Sequence, residues 1–235
     1  MDSSTSMYLE PAPEKRVDRV FIAQVTDYVL SHLSGRRALE LGAGHQIWTP
    51  RLIEQFEHVT TVEHSQELLN ELGKQMQGSN WEPVCGNFED YRPERPFDAV
   101  LATYVLEHVK EPESFLATMR GWLSESGLIA IVVPNGLSLH RRLAVCMGLS
   151  KVPQELKEAD HQAGHFHCFL PDELDSLIRG SGYDIVHRTG MILKALPNSV
   201  MQHCSDAQLK GLFQLGIELP LEYSAALFYL IKPKP

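Results

Sequence analysis

An apolar segment that ends in an acidic residue and two closely spaced glycines is the feature that most constrains the fold of this chain. The segment is Ala38-Leu39-Glu40-Leu41-Gly42-Ala43-Gly44, and it follows Arg36-Arg37. This pattern is typical of a buried strand that runs into a tight turn, because glycine adopts backbone angles that other residues disfavour. Such a turn also lets a ligand approach the main chain closely. The segment therefore predicts a turn that binds a dinucleotide or a nucleoside-like cofactor.

Strand-like and helix-like segments alternate through the first part of the chain. Apolar spacing predicts a helix over 14–33, strands over 38–41, 58–63, 81–85, 97–103 and 128–133, and helices over 48–56, 66–77 and 112–123. A helix over 171–180 and strands over 183–188 and 223–231 follow later. This alternation favours an α/β fold in which helices cover both faces of a mostly parallel sheet.

The alternation stops after Pro134-Asn135-Gly136, and residues 137–168 form a long polar insertion that ends in several histidines. Long connections inside a compact domain are usually functional. Insertions at the carboxyl edge of a parallel sheet lie beside the ligand crevice. We therefore predict a flexible arm at 1–13 and one domain over 14–235, with a substrate cap at about 137–168.

Composition narrows the classes of partner. The chain has 21 Lys and Arg against 30 Asp and Glu, a net charge of −9, which disfavours a nucleic-acid partner. Its four cysteines are far apart and form no C-x-x-C pair, so the sequence suggests neither a zinc knuckle nor a disulfide framework. The polar start does not resemble a signal peptide, and no apolar run suits a membrane span. A cytoplasmic protein without a membrane partner, either monomer or homodimer, is expected.

The residues around the glycine turn distinguish between a phosphate-containing ligand, such as a dinucleotide, and a cationic one. A dinucleotide fingerprint needs a third glycine where this chain has Ile47, and no lysine follows to form a P-loop. Glu40 precedes the first glycine by two residues, where its carboxylate would repel a diphosphate. The same carboxylate would favour a cation, such as a sulfonium ligand with an α-amino group.

Glu40-Leu-Gly42-Ala-Gly44 resembles motif I of class I S-adenosylmethionine-dependent methyltransferases, in the small-molecule branch that includes types 11 and 12. Other segments resemble the later motifs in order: Val62-Glu63-His64-Ser65, Cys85-Gly86-Asn87-Phe88-Glu89, 97–109, 127–135 and 170–184. The resemblance covers roughly residues 15–233. It implies a Rossmann-like sheet of seven strands in the order 3-2-1-4-5-7-6, with strand 7 antiparallel and a cap inserted after strand 5.

The resemblance also implies S-adenosyl-L-methionine as the cofactor. The residues that it implies for cofactor binding are Glu40, Gly42, Gly44, Gln46, Glu63, His64, Asn87, Phe88 and Tyr104. Gln46 departs from the family pattern, which has a third glycine there, and Asn87 stands where an acidic residue is common. The Asn87 amide can still accept a hydrogen bond from the adenine amine.

Methyl transfer to a hydroxyl or an ammonium requires that the acceptor lose a proton, and histidine is the usual base near neutral pH. The candidate catalytic residues are His165, His161 and Tyr104, and the candidates for binding an acidic acceptor are His140, Arg141 and His167. The cap histidines could instead lie on a polar surface, or bind a divalent metal together with Asp160. We predict no metal site.

These observations predict a methyltransferase that moves a methyl group by in-line displacement to an oxygen or nitrogen of a small molecule, such as a secondary metabolite. A protein or RNA acceptor is an alternative within the same class. An NAD(P)-dependent oxidoreductase of similar fold is a second alternative, although Ile47 and the lack of a Tyr-x-x-x-Lys pair count against it. A member that only binds a partner is a third.

Overall fold

Seven strands form one sheet in the computed structural model, which describes residues 13–76 and 80–235. The strands are β1 (Arg37–Leu41), β2 (His58–Glu63), β3 (Trp81–Cys85), β4 (Phe97–Thr103), β5 (Leu123–Pro134), β6 (Tyr183–Met191) and β7 (Ala226–Pro233). Their order is β3-β2-β1-β4-β5-β7-β6. The predicted fold class and strand order are therefore confirmed.

Strand direction brings one set of loops to one edge of the sheet. The pairs β1–β2, β1–β4, β2–β3 and β4–β5 are parallel, whereas β7 runs antiparallel to both β5 and β6. The carboxyl ends of β1 to β6 and the amino end of β7 consequently meet at the same edge. This edge is where a crevice for ligands is expected in an open α/β sheet.

The helices cover both faces of the sheet. They are α1 (Pro13–Leu30), α2 (Trp48–Gln55), α3 (Gln66–Gly73), α4 (Pro112–Arg120), α5 (Leu139–Cys146), α6 (Glu158–Gln162), α7 (Pro171–Gly180), α8 (Asn198–Met201) and α9 (Asp206–Glu218). In β4, Ala99 and Leu101 join one apolar cluster and Val100 and Ala102 join the other. Because both faces of β4 are buried, its sequence is a continuous apolar run.

Several element boundaries differ from the predicted ones. Helix α4 ends at Arg120, and β5 begins at Leu123, five residues earlier than predicted, and ends at Pro134, one residue later. Tyr223 lies in a 3₁₀ turn after Pro220, so β7 starts only at Ala226. Helix α3 ends at Gly73, and the predicted end of that helix at 77–78 lies outside the described residues. Nearly all of the arm predicted at 1–13 also lies outside them.

Helix α9 lies in the segment 189–222, to which the sequence analysis assigns no element. Its start is fixed by a capping box, in which the Gln208 amide donates to Ser205 Oγ and the Ser205 amide donates to Gln208 Oε1. A side chain at Gly216 would collide with the backbone of Ile192, so glycine allows α9 to approach the end of β6 closely. Within the described ranges, no helix is long and apolar enough to cross a membrane.

Candidate functional site

A cavity of about 570 Å³ lies at the edge where the strands end. One side, which we call the β1 half, is lined by Leu41, Gly42, Ala43, Gly44, His45, Glu63, His64, Leu68 and Phe88. The opposite side, the β6 half, is lined by Pro134, His140, Ile192, Lys194, Ala225 and Ala226. Tyr104, Glu107, His108 and His165 lie between them, and α1 contributes Asp18, Phe21 and Ile22.

The turn after β1 exposes its backbone to the cavity. Gly42 has φ of 79° and Gly44 has φ of 29°, both in the range that favours glycine. A side chain built on Gly42 would meet no atom within 4 Å, so the space beside this backbone is open. A ligand in the β1 half can therefore contact the main chain of the turn directly.

Glu63 joins this turn to the loop after β2. Its side chain is buried, with 3% of the residue exposed. One oxygen, Oε2, accepts from the Ala43 amide at 2.8 Å, and Oε1 accepts from the Ser65 amide at 2.8 Å. His64 Nδ1 lies 2.9 Å from Oε1. Each carboxylate oxygen accepts more than one hydrogen bond, so Glu63 can still accept from ligand hydroxyls in the cavity.

Glu40, by contrast, lies behind the turn and does not line the cavity. Its Oε2 accepts hydrogen bonds from the hydroxyls of Thr49 and Thr61, the latter at 2.9 Å. Burial raises the pKa of Glu40 to about 7, and Oε1 has no partner among the described residues. The structure thus places Glu40 as a support beneath the turn and not in the wall that was predicted to contact a cofactor.

Gln46 and Asn87 also lie outside the cavity wall. Gln46 Oε1 accepts from Gln75 Nε2 at 3.1 Å. Asn87 Oδ1 accepts from the Glu89 amide at 3.4 Å and begins the turn that brings Phe88 to the cavity. The predicted cofactor residues that do line the cavity are Gly42, Gly44, Glu63, His64, Phe88 and Tyr104.

Gln46 has φ of 58°, in the left-handed region that favours glycine. Gln46→Gly is expected to raise the free energy of unfolding by about 0.5–1 kcal/mol, because glycine relieves the left-handed strain. Urea unfolding measures this change. Gln75→Ala, which removes only the side-chain hydrogen bond, is the control. Lower stability in Gln46→Gly would show that this hydrogen bond outweighs the strain.

Buried titratable groups occupy the centre of the cavity. Glu107 is buried, its pKa is raised by burial to about 8, and its Oε2 has no partner in the described part of the chain. Burial also raises the pKa of Tyr104, so its phenol stays protonated at neutral pH. At pH 7 Tyr104 and most of Glu107 are therefore protonated and can donate a hydrogen bond.

His165 reaches this centre from residues 137–168, the segment predicted to form the cap. One polar atom each from Glu107, His108 and His165 lies within 4.8 Å of the others, and the two imidazole rings are 4.7 Å apart. Burial lowers the pKa of both histidines, so both are neutral at pH 7. The three atoms could also hold a divalent cation, although a closed zinc site has four ligands. The absence of a metal stays a prediction.

The other predicted cap residues lie elsewhere. Arg141 donates to the carbonyls of Pro153 and Glu155 and to Asp160 Oδ1 at 3.1 Å, and so holds together the segment predicted to form the cap. His161 is exposed outside the cavity wall. His167 stacks on Phe169, with ring centroids 5.4 Å apart, and also lies outside the wall.

Two polar residues, His140 and Lys194, line the β6 half of the cavity. His140 was predicted and does line the cavity, with a buried Nδ1 that has no partner in the described chain. Burial and the nearby charge of Lys194 lower the pKa of His140 to about 4. Lys194 was missed by the sequence analysis, as were Glu107 and His108 as cavity residues. The sequence Glu107-His108, an acidic residue followed by a histidine shortly after the end of a strand, could have indicated these two cavity residues.

Comparison with known proteins decides the family. A sequence profile described as "Methyltransferase domain" matches residues 14–188. The chain belongs to this methyltransferase family. It is 28% identical over 196 residues to the ubiquinone biosynthesis O-methyltransferase of Xylella fastidiosa (strain M23), covering 80% of this chain and 78% of that protein. The predicted family and enzyme class are confirmed, and membership argues against the oxidoreductase alternative.

Solved structures show the same fold. An S-adenosylmethionine-dependent methyltransferase from Mesorhizobium loti superposes with a TM-score of 0.63 at 16% identity, over 88% of this chain and 95% of that one. The plantazolicin methyltransferase BamL superposes with a TM-score of 0.61 at 15% identity, over 99% and 94%.

The β1 half fits S-adenosylmethionine, the cofactor of this methyltransferase. Its turn leaves open space at Gly42 for a ligand to approach the backbone. Glu63 presents a buried carboxylate for ribose hydroxyls, at the end of the strand next to that turn. Leu68 and Phe88 supply apolar surface for a base. The donors, acceptors and apolar contacts of a nucleoside are thus all present in one half of the cavity.

Proposed function

We propose that this methyltransferase moves the methyl group of S-adenosylmethionine to an oxygen atom of a small-molecule acceptor held in the β6 half. The observation that carries the proposal is the continuity of the cavity, which runs from the glycine turn past His165 to Lys194. The relatives named as O-methyltransferases support oxygen as the acceptor atom.

S-adenosylmethionine would supply an electrophilic methyl group: the acceptor oxygen would form a bond to the methyl carbon in line as the carbon–sulfur bond breaks, and S-adenosylhomocysteine would leave. The chain's own part is to position the reactants and to exclude water, and proximity alone can lower the barrier by several kcal/mol. The turn at Gly42 and the Glu63 carboxylate hold the nucleoside. Helix α1 covers the cavity from one side through Phe21 and Ile22, and the cap covers it through His165.

His165 is the proposed base for the acceptor hydroxyl. It lines the cavity, and burial lowers its pKa, so that its imidazole can accept a proton at neutral pH. His165 Nδ1 lies 3.6 Å from Asp160 Oδ1, whose charge opposes this lowering. Arg141 donates to the same Asp160 oxygen and so fixes the carboxylate. Asp160 is thereby a positioning residue for His165.

A small acceptor is favoured over a protein or an RNA. Residues 137–168 and α1 both contribute to the wall of the cavity, and at its centre Glu107 is buried while His108 and His165 are half-buried. The net charge of −9 opposes binding to a phosphate backbone. The monomer-or-homodimer state and the cytoplasmic location stay predictions.

A turnover assay tests the proposal. The purified protein is incubated with S-adenosylmethionine and, separately, with panels of phenols, catechols, amines, a protein extract and total RNA. Mass spectrometry follows S-adenosylhomocysteine and the methylated product. A gain of one methyl group on phenols or catechols is expected. Transfer only to amines would contradict the acceptor atom, and transfer only to protein or RNA would contradict the small-molecule acceptor.

A further inference from the structure

Lys194 places a positive charge without an ion-pair partner in the wall of the β6 half. The residue follows the end of β6, where Ile192 has φ of 68° and the Leu193 amide donates to the Leu212 carbonyl of α9 at 2.8 Å. Among the side chains that the structure describes, no carboxylate oxygen lies within 4 Å of its ammonium nitrogen. Lys194 is half-buried and is one of the residues that line the cavity.

The groups around Lys194 do not neutralise it. Asp18 is close enough for its charge to raise the pKa of Lys194, but burial lowers this pKa more strongly. The Asp18 carboxylate is engaged by Asn198 Nδ2 at 2.8 Å. His140 is neutral, since its pKa is about 4, and its buried Nδ1 is without a partner in the described chain. Ile192 and Ala225 make the remaining wall apolar.

A half-buried ammonium that lacks an ion-pair partner loses part of its hydration, which a bound anion would offset. An anion that reached Lys194 would exchange hydration for a charge-assisted hydrogen bond with up to three donor hydrogens. The apolar wall would then contact the uncharged part of the same molecule. The β6 half therefore combines one cationic group with apolar surface, which is what an aromatic or aliphatic molecule with a single oxyanion requires.

We propose that Lys194, with His140 beside it, binds an oxyanion of the acceptor, either a carboxylate or a phenolate. The assignment of this anion to the acceptor rests on the proposed function. The binding of an anion at Lys194 does not, because it depends only on the unpaired charge in the cavity wall. The site selects acidic acceptors against neutral ones of the same shape.

Calorimetry on the protein saturated with S-adenosylhomocysteine tests this binding without turnover. The probes are two matched pairs, benzoate with benzamide and 4-nitrophenolate with nitrobenzene. At least one anion is expected to bind about tenfold more tightly than its neutral partner. The pair that shows the preference identifies the oxyanion as a carboxylate or a phenolate. Equal affinities within both pairs would overturn the proposal.

Lys194→Met assigns the preference to this side chain, because methionine keeps the length and removes the charge. The preference is expected to disappear in Lys194→Met and to persist in Lys210→Met, which alters an exposed lysine of α9. A preference that survives in Lys194→Met would overturn the proposal. So would a loss of affinity for S-adenosylhomocysteine alone, which would assign Lys194 to the carboxylate of the cofactor.

Thermal unfolding of the same variants checks that the fold is intact. Lys194→Met is expected to melt no lower than the wild type, because it removes an unpaired, half-buried charge. Lys194→Gln provides a polar alternative if methionine perturbs folding, and it should lose the same preference. If methyl transfer fails in every acceptor panel but the anion preference follows Lys194, the proposed function fails and the anion site stands.

Discussion

Replacing Glu63 with alanine is expected to weaken the binding of S-adenosylmethionine by about tenfold or more, a loss of about 1.4 kcal/mol or more. Two effects combine in this variant. The cavity loses the buried carboxylate that would accept hydrogen bonds from ribose hydroxyls, and the amides of Ala43 and Ser65 lose the acceptor that holds them. The variant therefore damages both the contact and the turn that carries Gly42. Calorimetric titration with S-adenosylmethionine measures the change.

Two further variants separate these effects. Glu63→Gln keeps one amide oxygen as an acceptor for backbone donors but loses the charge, so its affinity should fall less than that of Glu63→Ala. Glu54→Gln removes a charge from an exposed position on α2 and should bind the cofactor like the wild type. Unchanged affinity in Glu63→Ala would contradict the assignment of the β1 half to the nucleoside.

The central strands could be predicted from sequence because burial and periodicity are local signals. Strands β2, β3 and β4 have the predicted bounds, since each is a short apolar or β-branched segment between turn residues. The start of β5 was missed because 124–127 contains Ser, Glu and Gly. Pairing with β4 nevertheless extends β5 to Leu123, across a shift in register near Phe97.

Helix α9 shows where local signals fail. Gly211 and Gly216 lie within it, and glycine disfavours a helix interior. The position of Gly216 is explained only by the tertiary structure, because a side chain there would collide with Ile192. The capping box at Ser205 and Gln208 is a local signal that could have marked the start of the helix.

The β1 half of the cavity was predictable from the sequence, whereas the β6 half was not. Gly42, Gly44 and Glu63 belong to motifs whose spacing is visible in the sequence, and they line the cavity. Lys194 has no motif around it, and it enters the cavity only because β6 ends at the same edge as β1. Arg141 was predicted from its charge, but its carbonyl and Asp160 partners are visible only in the folded cap.

His165→Ala is expected to lower kcat by about 10²–10⁴-fold, the range typical of losing a general base, while the affinity for S-adenosylmethionine stays unchanged. The separation follows from the geometry, because His165 lies with Glu107 and His108 at the centre of the cavity and not in the β1 half. His161→Ala changes an exposed histidine of the same cap and should keep full activity. Turnover of the best phenol or catechol from the acceptor panel provides the measurement.

The pH dependence of kcat distinguishes a base from a packing role. Burial lowers the pKa of His165 from 6.5, so the wild-type rate should be flat around pH 7 and fall only as pH drops below 6.5 and the imidazole gains a proton. An acceptor whose hydroxyl is more acidic, such as 4-nitrocatechol, should lose less activity in His165→Ala because it arrives ionised. Equal losses for acidic and ordinary phenols would contradict a role in proton removal.

Loss of wild-type activity after chelation with EDTA, restored by a divalent cation, would instead assign the group of Glu107, His108 and His165 to metal binding.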